Sequence, residues 1–153
     1  MHGLRKTLTR IVAATVVLAV GACSGDSGTG PEGPKFPAVS GTYDVEAFFA
    51  DFPPSTAFAT GVLTLTQSSE ATGDLAGSLN LTVRLGADTY VLSGLHNARV
   101  SQSGTLTFEL TPGGGTTWLF SAPVTNRGSS FSGTHTMAGA GASFPGTFTA
   151  VRR

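Results

Sequence analysis

Charge, cysteine and histidine are scarce in this 153-residue chain, and each scarcity removes a class of function. Asp, Glu, Lys and Arg make up 12% of the residues, about half the ~25% of an ordinary soluble domain. That density excludes a charged coiled coil, a charged disordered tail and a basic nucleic-acid surface. The single cysteine, Cys23, forms neither an intramolecular disulfide nor a multi-cysteine metal site. There are three histidines, His2, His96 and His135, and no HExxH or GxSxG motif. Little is left for metal-assisted or nucleophilic hydrolysis. No cofactor is implied. Beyond Val39 no stretch of useful length has a helical period.

What is present begins with an address. Arg5, Lys6 and Arg10 precede a twelve-residue uncharged run, Ile11 to Ala22. As a helix this run spans roughly 18 Å, short of the ~30 Å hydrocarbon core. It suits a signal-peptide apolar region. It ends in Val20-Gly21-Ala22-Cys23, which resembles a bacterial lipobox. The resemblance covers residues 1–23. It implies diacylglyceryl attachment at Cys23, cleavage before it (residues 1–22 being the signal) and anchorage in a bacterial envelope. Ser24, rather than Asp, after the cysteine implies the outer membrane in a double-membrane organism. An ordinary secretory signal with an incidental cysteine is the alternative. Stable anchorage needs two or more acyl chains, at ~0.8 kcal/mol per buried CH₂.

Three of the nine basic residues precede Cys23 and no acidic residue does. The remainder carries six basic and nine acidic groups, net −3. A mildly acidic domain is a poor ligand for polyanions, so no nucleic-acid partner is expected. Residues 24–37 are rich in Gly, Ser and Pro, with Phe36 the only bulky apolar residue. They read as a disordered tether with a reach of roughly 20 Å. The domain plan is signal 1–22, acylated cysteine and tether 23–38, and a folded domain over 39–153.

That domain reads in period two. Leu75, Gly77, Leu79, Leu81, Val83 and Leu85 alternate with Ala76, Ser78, Asn80, Thr82 and Arg84. Leu106, Phe108 and Leu110 alternate with Thr105, Thr107 and Glu109, and Trp118, Phe120, Ala122 and Val124 share one parity. Such alternation belongs to strands with one wet face, where threonine fits, and one buried face. Eight segments emerge, near 41–50, 57–67, 74–85, 88–100, 104–111, 116–124, 130–137 and 143–152. The gaps are short, so hairpins join antiparallel neighbours and no Greek-key crossing is needed. Gly41, Gly61, Gly133 and Gly146 share the parity of their strands' apolar residues and are expected to face inward, where they let strands bend. The fold class is all-β: a single antiparallel up-and-down β-barrel of about eight strands, with a β-sandwich as the alternative. Pro123 and Pro145 should mark bulges or an imperfect seam.

In Val39-Ser40-Gly41-Thr42-Tyr43 and Ala59-Thr60-Gly61-Val62-Leu63-Thr64-Leu65 the domain resembles the small avidin and lipocalin type of barrel. The resemblance is architectural and carries no ligand residue across. The inward aromatics either fill the interior or surround one small ligand. The candidate contacts are Tyr43, Phe108, Trp118, Phe120, His135 and Phe148. A small-molecule site requires about 300 Å³. His135, between Gly133 and Met137, should point inward, either toward a ligand or to a hydrogen-bond partner near a barrel mouth. Phe48 and Phe52 flank the connection 51–57, a lid or a plug for one end. Gly113-Gly114-Gly115 lacks the Lys-Ser/Thr and helix of a phosphate loop and reads as a hairpin turn.

Three functions follow. The first is a non-catalytic, membrane-tethered binding module for a small apolar or amphipathic molecule. The second is an envelope interaction protein with a filled barrel. The third, an enzyme, is the poorest fit to this residue inventory. Besides the membrane reached through Cys23, the expected partner is a small apolar ligand or a protein.

Overall fold

The structure, a computed structural model, describes residues 35–53, 57–125 and 128–153. The signal, Cys23 and residues 24–34 of the tether lie outside the described residues. Nine strands run in chain order: β1 (Gly41–Phe49), β2 (Ala57–Gln67), β3 (Leu75–Leu85), β4 (Asp88–Ser93), β5 (His96–Val100), β6 (Thr105–Gly113), β7 (Thr116–Thr125), β8 (Ser130–Gly139) and β9 (Ala142–Arg152). All neighbours are antiparallel, in the order β4-β3-β2-β1-β9-β8-β7-β6-β5. Each strand is joined to the next by a hairpin or a short link, and the first strand, β1, pairs with the last, β9, so this is an up-and-down, barrel-like all-β fold.

The ends of that order, β4 and β5, are consecutive in the chain, and together they act as one bent strand. β4 pairs with β3 from Leu85↔Asp88 to Asn80↔Ser93. The lone bridge Asp74↔Arg99 continues the same register. Between them Gly94 N–H donates to Leu79 O at 3.0 Å, and Val100 N–H donates to Gly73 O at 2.7 Å. The interruption is at Gly94 (φ +141°) and Asn97 (φ +48°), where the register against β6 also shifts. The expected segment 88–100 is therefore present, but bent in the middle.

Four glycines explain the curl. A Cβ at Gly61, Gly77, Gly133 or Gly146 would collide with a carbonyl oxygen of the adjoining strand, that of Asn80, Thr64, Ser121 or Phe48 respectively. The backbones approach too closely there for any side chain, and the sheet coils tightly. Gly104, by contrast, falls in the β5–β6 turn at φ +82°.

Two expectations need correction. Pro123 and Pro145 mark no bulge: the β7–β8 and β8–β9 registers are unchanged on either side of them. Pro123 faces Thr105, the first residue of β6. Pro145 stands one step past the last β1 pair, Phe49↔Gly146; Ala50 N–H still donates to its carbonyl at 2.8 Å, and the missing N–H forgoes only the reciprocal bond at the end of that ladder. The seam is set by Gly94 and Asn97 instead. The end of the tether is also shorter than expected. Phe36 N–H donates to Glu70 O at 2.8 Å, and its ring packs on the core.

The up-and-down course sorts the connections. Links β1–β2, β3–β4, β6–β7 and β8–β9 lie at one end, here the mouth. Links β2–β3, β5–β6 and β7–β8, residues 35–40 and Arg153 lie at the other, the base.

Candidate functional site

The interior is lined by the inward parity read from the sequence. The six candidate contacts, Tyr43, Phe108, Trp118, Phe120, His135 and Phe148, are all no more than 1% exposed. Phe108, Trp118, Phe120, His135 and Phe148 touch one another rather than a space between them. Phe108 and Phe120 stack with centroids 4.7 Å apart, and Phe148 meets them edge-on at 5.8 and 5.2 Å. Trp118 lies 5.1 Å from Phe120, and Phe49 stacks on Trp118 at 5.4 Å. Aromatic contacts thus run from the mouth into the middle of the barrel, each adding about 0.5–1.5 kcal/mol beyond the area it buries.

His135 is the one buried polar side chain among the described residues. Trp118 Nε1–H donates to its Nδ1 at 2.8 Å, and its Nε2 lies 3.0 Å from Phe48 O. Indole is a donor only, so Nδ1 must be bare. The proton is therefore on Nε2 and is donated to the Phe48 carbonyl. Burial pushes the pKa below the usual 6.5, opposed by the Phe48 hydrogen bond. Both nitrogens are engaged, which leaves the ring no atom for substrate or metal. Gly146 makes room for it, since a Cβ there would strike the imidazole.

Tyr43 is drawn to the base, apart from this group. Its hydroxyl lies 2.7 Å from Val39 O and 3.0 Å from Gly128 O, bracing the chain before β1 against the β7–β8 link. Phe131 packs on its ring at 4.7 Å. Arg152 places its guanidinium 5.6 Å from the ring centroid, with Nη2 donating to the hydroxyl at 3.2 Å and to Ser40 O. Arg153 binds Asp44 at 2.7 Å on the surface. The two ends of the folded chain are thereby clasped together.

The unfilled space is at the mouth. Phe49, Phe52, Leu85, Met137 and Phe144 surround a hollow of about 60 Å³ that presents no polar surface. Phe52, on the β1–β2 link, is 40% exposed and meets Phe49 at 6.3 Å and Phe144 at 6.1 Å. It forms a partial cover, between the lid and the plug that the sequence suggested. Phe48, at 36% exposure, faces outward on β1, on the opposite side of the strand from Phe49. Of these mouth residues the sequence drew attention to Phe48 and Phe52 for position. Leu85 and Met137 passed as ordinary strand residues, because only the three-dimensional closure brings β3 and β8 to one rim.

Among the described residues no group of three or more His, Cys, Asp or Glu is placed to hold a metal. Among the same residues no buried side-chain nitrogen or oxygen lacks a partner. The chain matches no family model, no curated protein and no solved structure.

Proposed function

We propose that this chain is a lipid-anchored, non-catalytic envelope protein whose barrel is a rigid, side-chain-filled body that makes its contacts through the mouth. The observation that carries the reading is the contrast between the two ends. The base is sealed by Tyr43, Arg152 and Phe36, and residue 35, which continues toward Cys23, leaves from it. The mouth exposes Phe52 over an apolar hollow. An anchor at Cys23 would join the domain from its base and leave the mouth free to meet a partner.

A ligand wholly enclosed by Tyr43, Phe108, Trp118, Phe120, His135 and Phe148 is less well supported. Five of those side chains are in mutual contact, Tyr43 packs separately at the base, and the hollow above them is about 60 Å³, a fifth of the ~300 Å³ a small-molecule site requires. A non-catalytic role is supported by His135, whose two nitrogens are both engaged inside the wall.

The test is site-specific photocrosslinking in cells. A photoreactive side chain replaces Phe52 at the mouth or Asp74 at the base, in the full chain. Adducts formed from position 52 and not from position 74 are expected. Adducts from the base alone, or none from either, overturn the reading.

A further inference from the structure

We infer that the mouth accepts the end of a linear hydrocarbon chain, tail first. The inference rests on the mouth being the contact end. Three observations carry it. Among the described residues the hollow is lined by Phe49, Phe52, Leu85, Met137 and Phe144, none of which offers it a polar group. A polar head inside would lose its water without compensation. The hollow is also small, about 60 Å³. An apolar cavity of roughly 150 Å³ holds benzene, and the volume share of one water is about 30 Å³. The hollow is well under the volume that holds benzene, so the narrow end of an unbranched chain suits it better than a ring. The exposed ring of Phe52 at the rim supplies apolar surface for the methylenes that follow. Each methylene that leaves water completely should tighten binding about fourfold, and those resting on the rim should contribute less.

The chain carries its own reporter. Trp118 is the only tryptophan. It is fully buried, stacks under Phe49 and pairs across the strands with Met137, two of the residues that line the hollow. A bromine atom in the hollow therefore comes close to the indole, while bromide in water cannot reach it.

The experiment uses the full chain reconstituted in vesicles of unbrominated phosphatidylcholine. A long-chain fatty acid brominated at its terminal carbon should quench Trp118 saturably. The same acid brominated next to its carboxyl should quench several-fold less. An unbrominated straight-chain acid should relieve the quenching, and an acid ending in a phenyl ring should not. Leu85→Phe, which fills the hollow from its wall, should abolish quenching while leaving the ligand-free emission and circular dichroism unchanged. Phe52→Ala, which removes the cover, should admit the phenyl-terminated acid. Absent quenching, equal quenching by both bromine positions, or equal competition by the phenyl acid would overturn the inference. If position 52 still crosslinks in cells, the hydrocarbon class alone falls. If it does not, the mouth reading falls as well.

Discussion

Trp118 Nε1 donates to His135 Nδ1 at 2.8 Å across neighbouring strands, and this one bond fixes the protonation state of the imidazole. A second proton on the ring would set an N–H against the indole N–H. It would also put a charge among Phe49, Trp118, Phe120 and the Phe48 carbonyl, with no carboxylate in contact to receive it. The fold is therefore committed to a neutral histidine beneath the mouth.

Acid should weaken the fold for this reason. The pKa of His135 is lowered in the folded chain by burial and is about 6.5 when unfolded. Below that value the unfolded chain gains a proton that the folded one does not. Stability is thus fully present above about pH 6.5, falls as pH drops through it, and levels off below the folded pKa. Denaturant midpoints should decline between about pH 7.5 and 5.5, above the ordinary carboxylate range. His135→Gln keeps an acceptor for Trp118 and a donor for Phe48, and should remove most of that decline. A flat profile in the parent chain, or an undiminished decline in the variant, would show that His135 is not the sensor.

Gly146→Ala should disrupt the same place sterically. The new methyl would meet the Phe48 carbonyl, which is backbone, and the His135 ring, which is held at both nitrogens. Neither can yield freely, and a cost of about 2–3 kcal/mol is expected. Gly114→Ala is the control. Its Cβ would point into open space, and its φ of +66° imposes backbone strain alone, about 1 kcal/mol. Chemical denaturation of both variants decides it: equal losses would mean that close approach is not what position 146 demands.

The strand plan was legible because period two survives in most segments, from Leu75–Leu85 to Phe144–Ala150; Asp88–Ser93, exposed at all but Leu92, is the exception. Strand identity, hairpin order and inward glycines all follow from it. Register does not. Phe120 lies directly opposite His135, while Trp118 reaches it diagonally, from a position opposite Met137. Nothing in the one-dimensional pattern distinguishes those two aromatics. The prolines misled for a related reason: whether a missing N–H matters depends on which neighbour ends where, and the β1 ladder ends at Pro145, with Ala50 N–H on its carbonyl. The role of Arg152 was equally hidden. It looks like a terminal charge until the closure of β9 on β1 lays it across Tyr43.

The base should depend on Tyr43 through its hydroxyl more than through surface charge. Tyr43→Phe keeps the buried ring but leaves the Val39 and Gly128 carbonyls and an Arg152 N–H without this partner. A loss of about 1–2 kcal/mol is expected. Arg153→Ala removes only the exposed pair with Asp44, and exposed pairs contribute little after screening and side-chain entropy. No measurable change is expected there. A larger effect from Arg153 than from Tyr43 in thermal denaturation would mean that charge, and not the buried hydroxyl, closes the base.

One position at the mouth carries strain that a substitution should relieve. Gly139↔Ala142 closes the β8–β9 hairpin, so its loop is the two residues Ala140 and Gly141. Their φ angles are +50° and +80°, the mirror-image geometry of a type I′ turn. Gly141 suits its place, but Ala140 holds a left-handed conformation at a cost of about 1–2 kcal/mol. Asparagine tolerates that conformation, and Asn-Gly is a preferred pair for such loops. Ala140→Asn should therefore raise stability by about 0.5–1 kcal/mol, read as a higher denaturant midpoint with an unchanged slope. It should leave fatty-acid quenching of Trp118 as it was, because position 140 does not line the hollow. A destabilised variant would mean that the hairpin does not hold this turn, and that the rim beside Met137 and Phe144 is built differently.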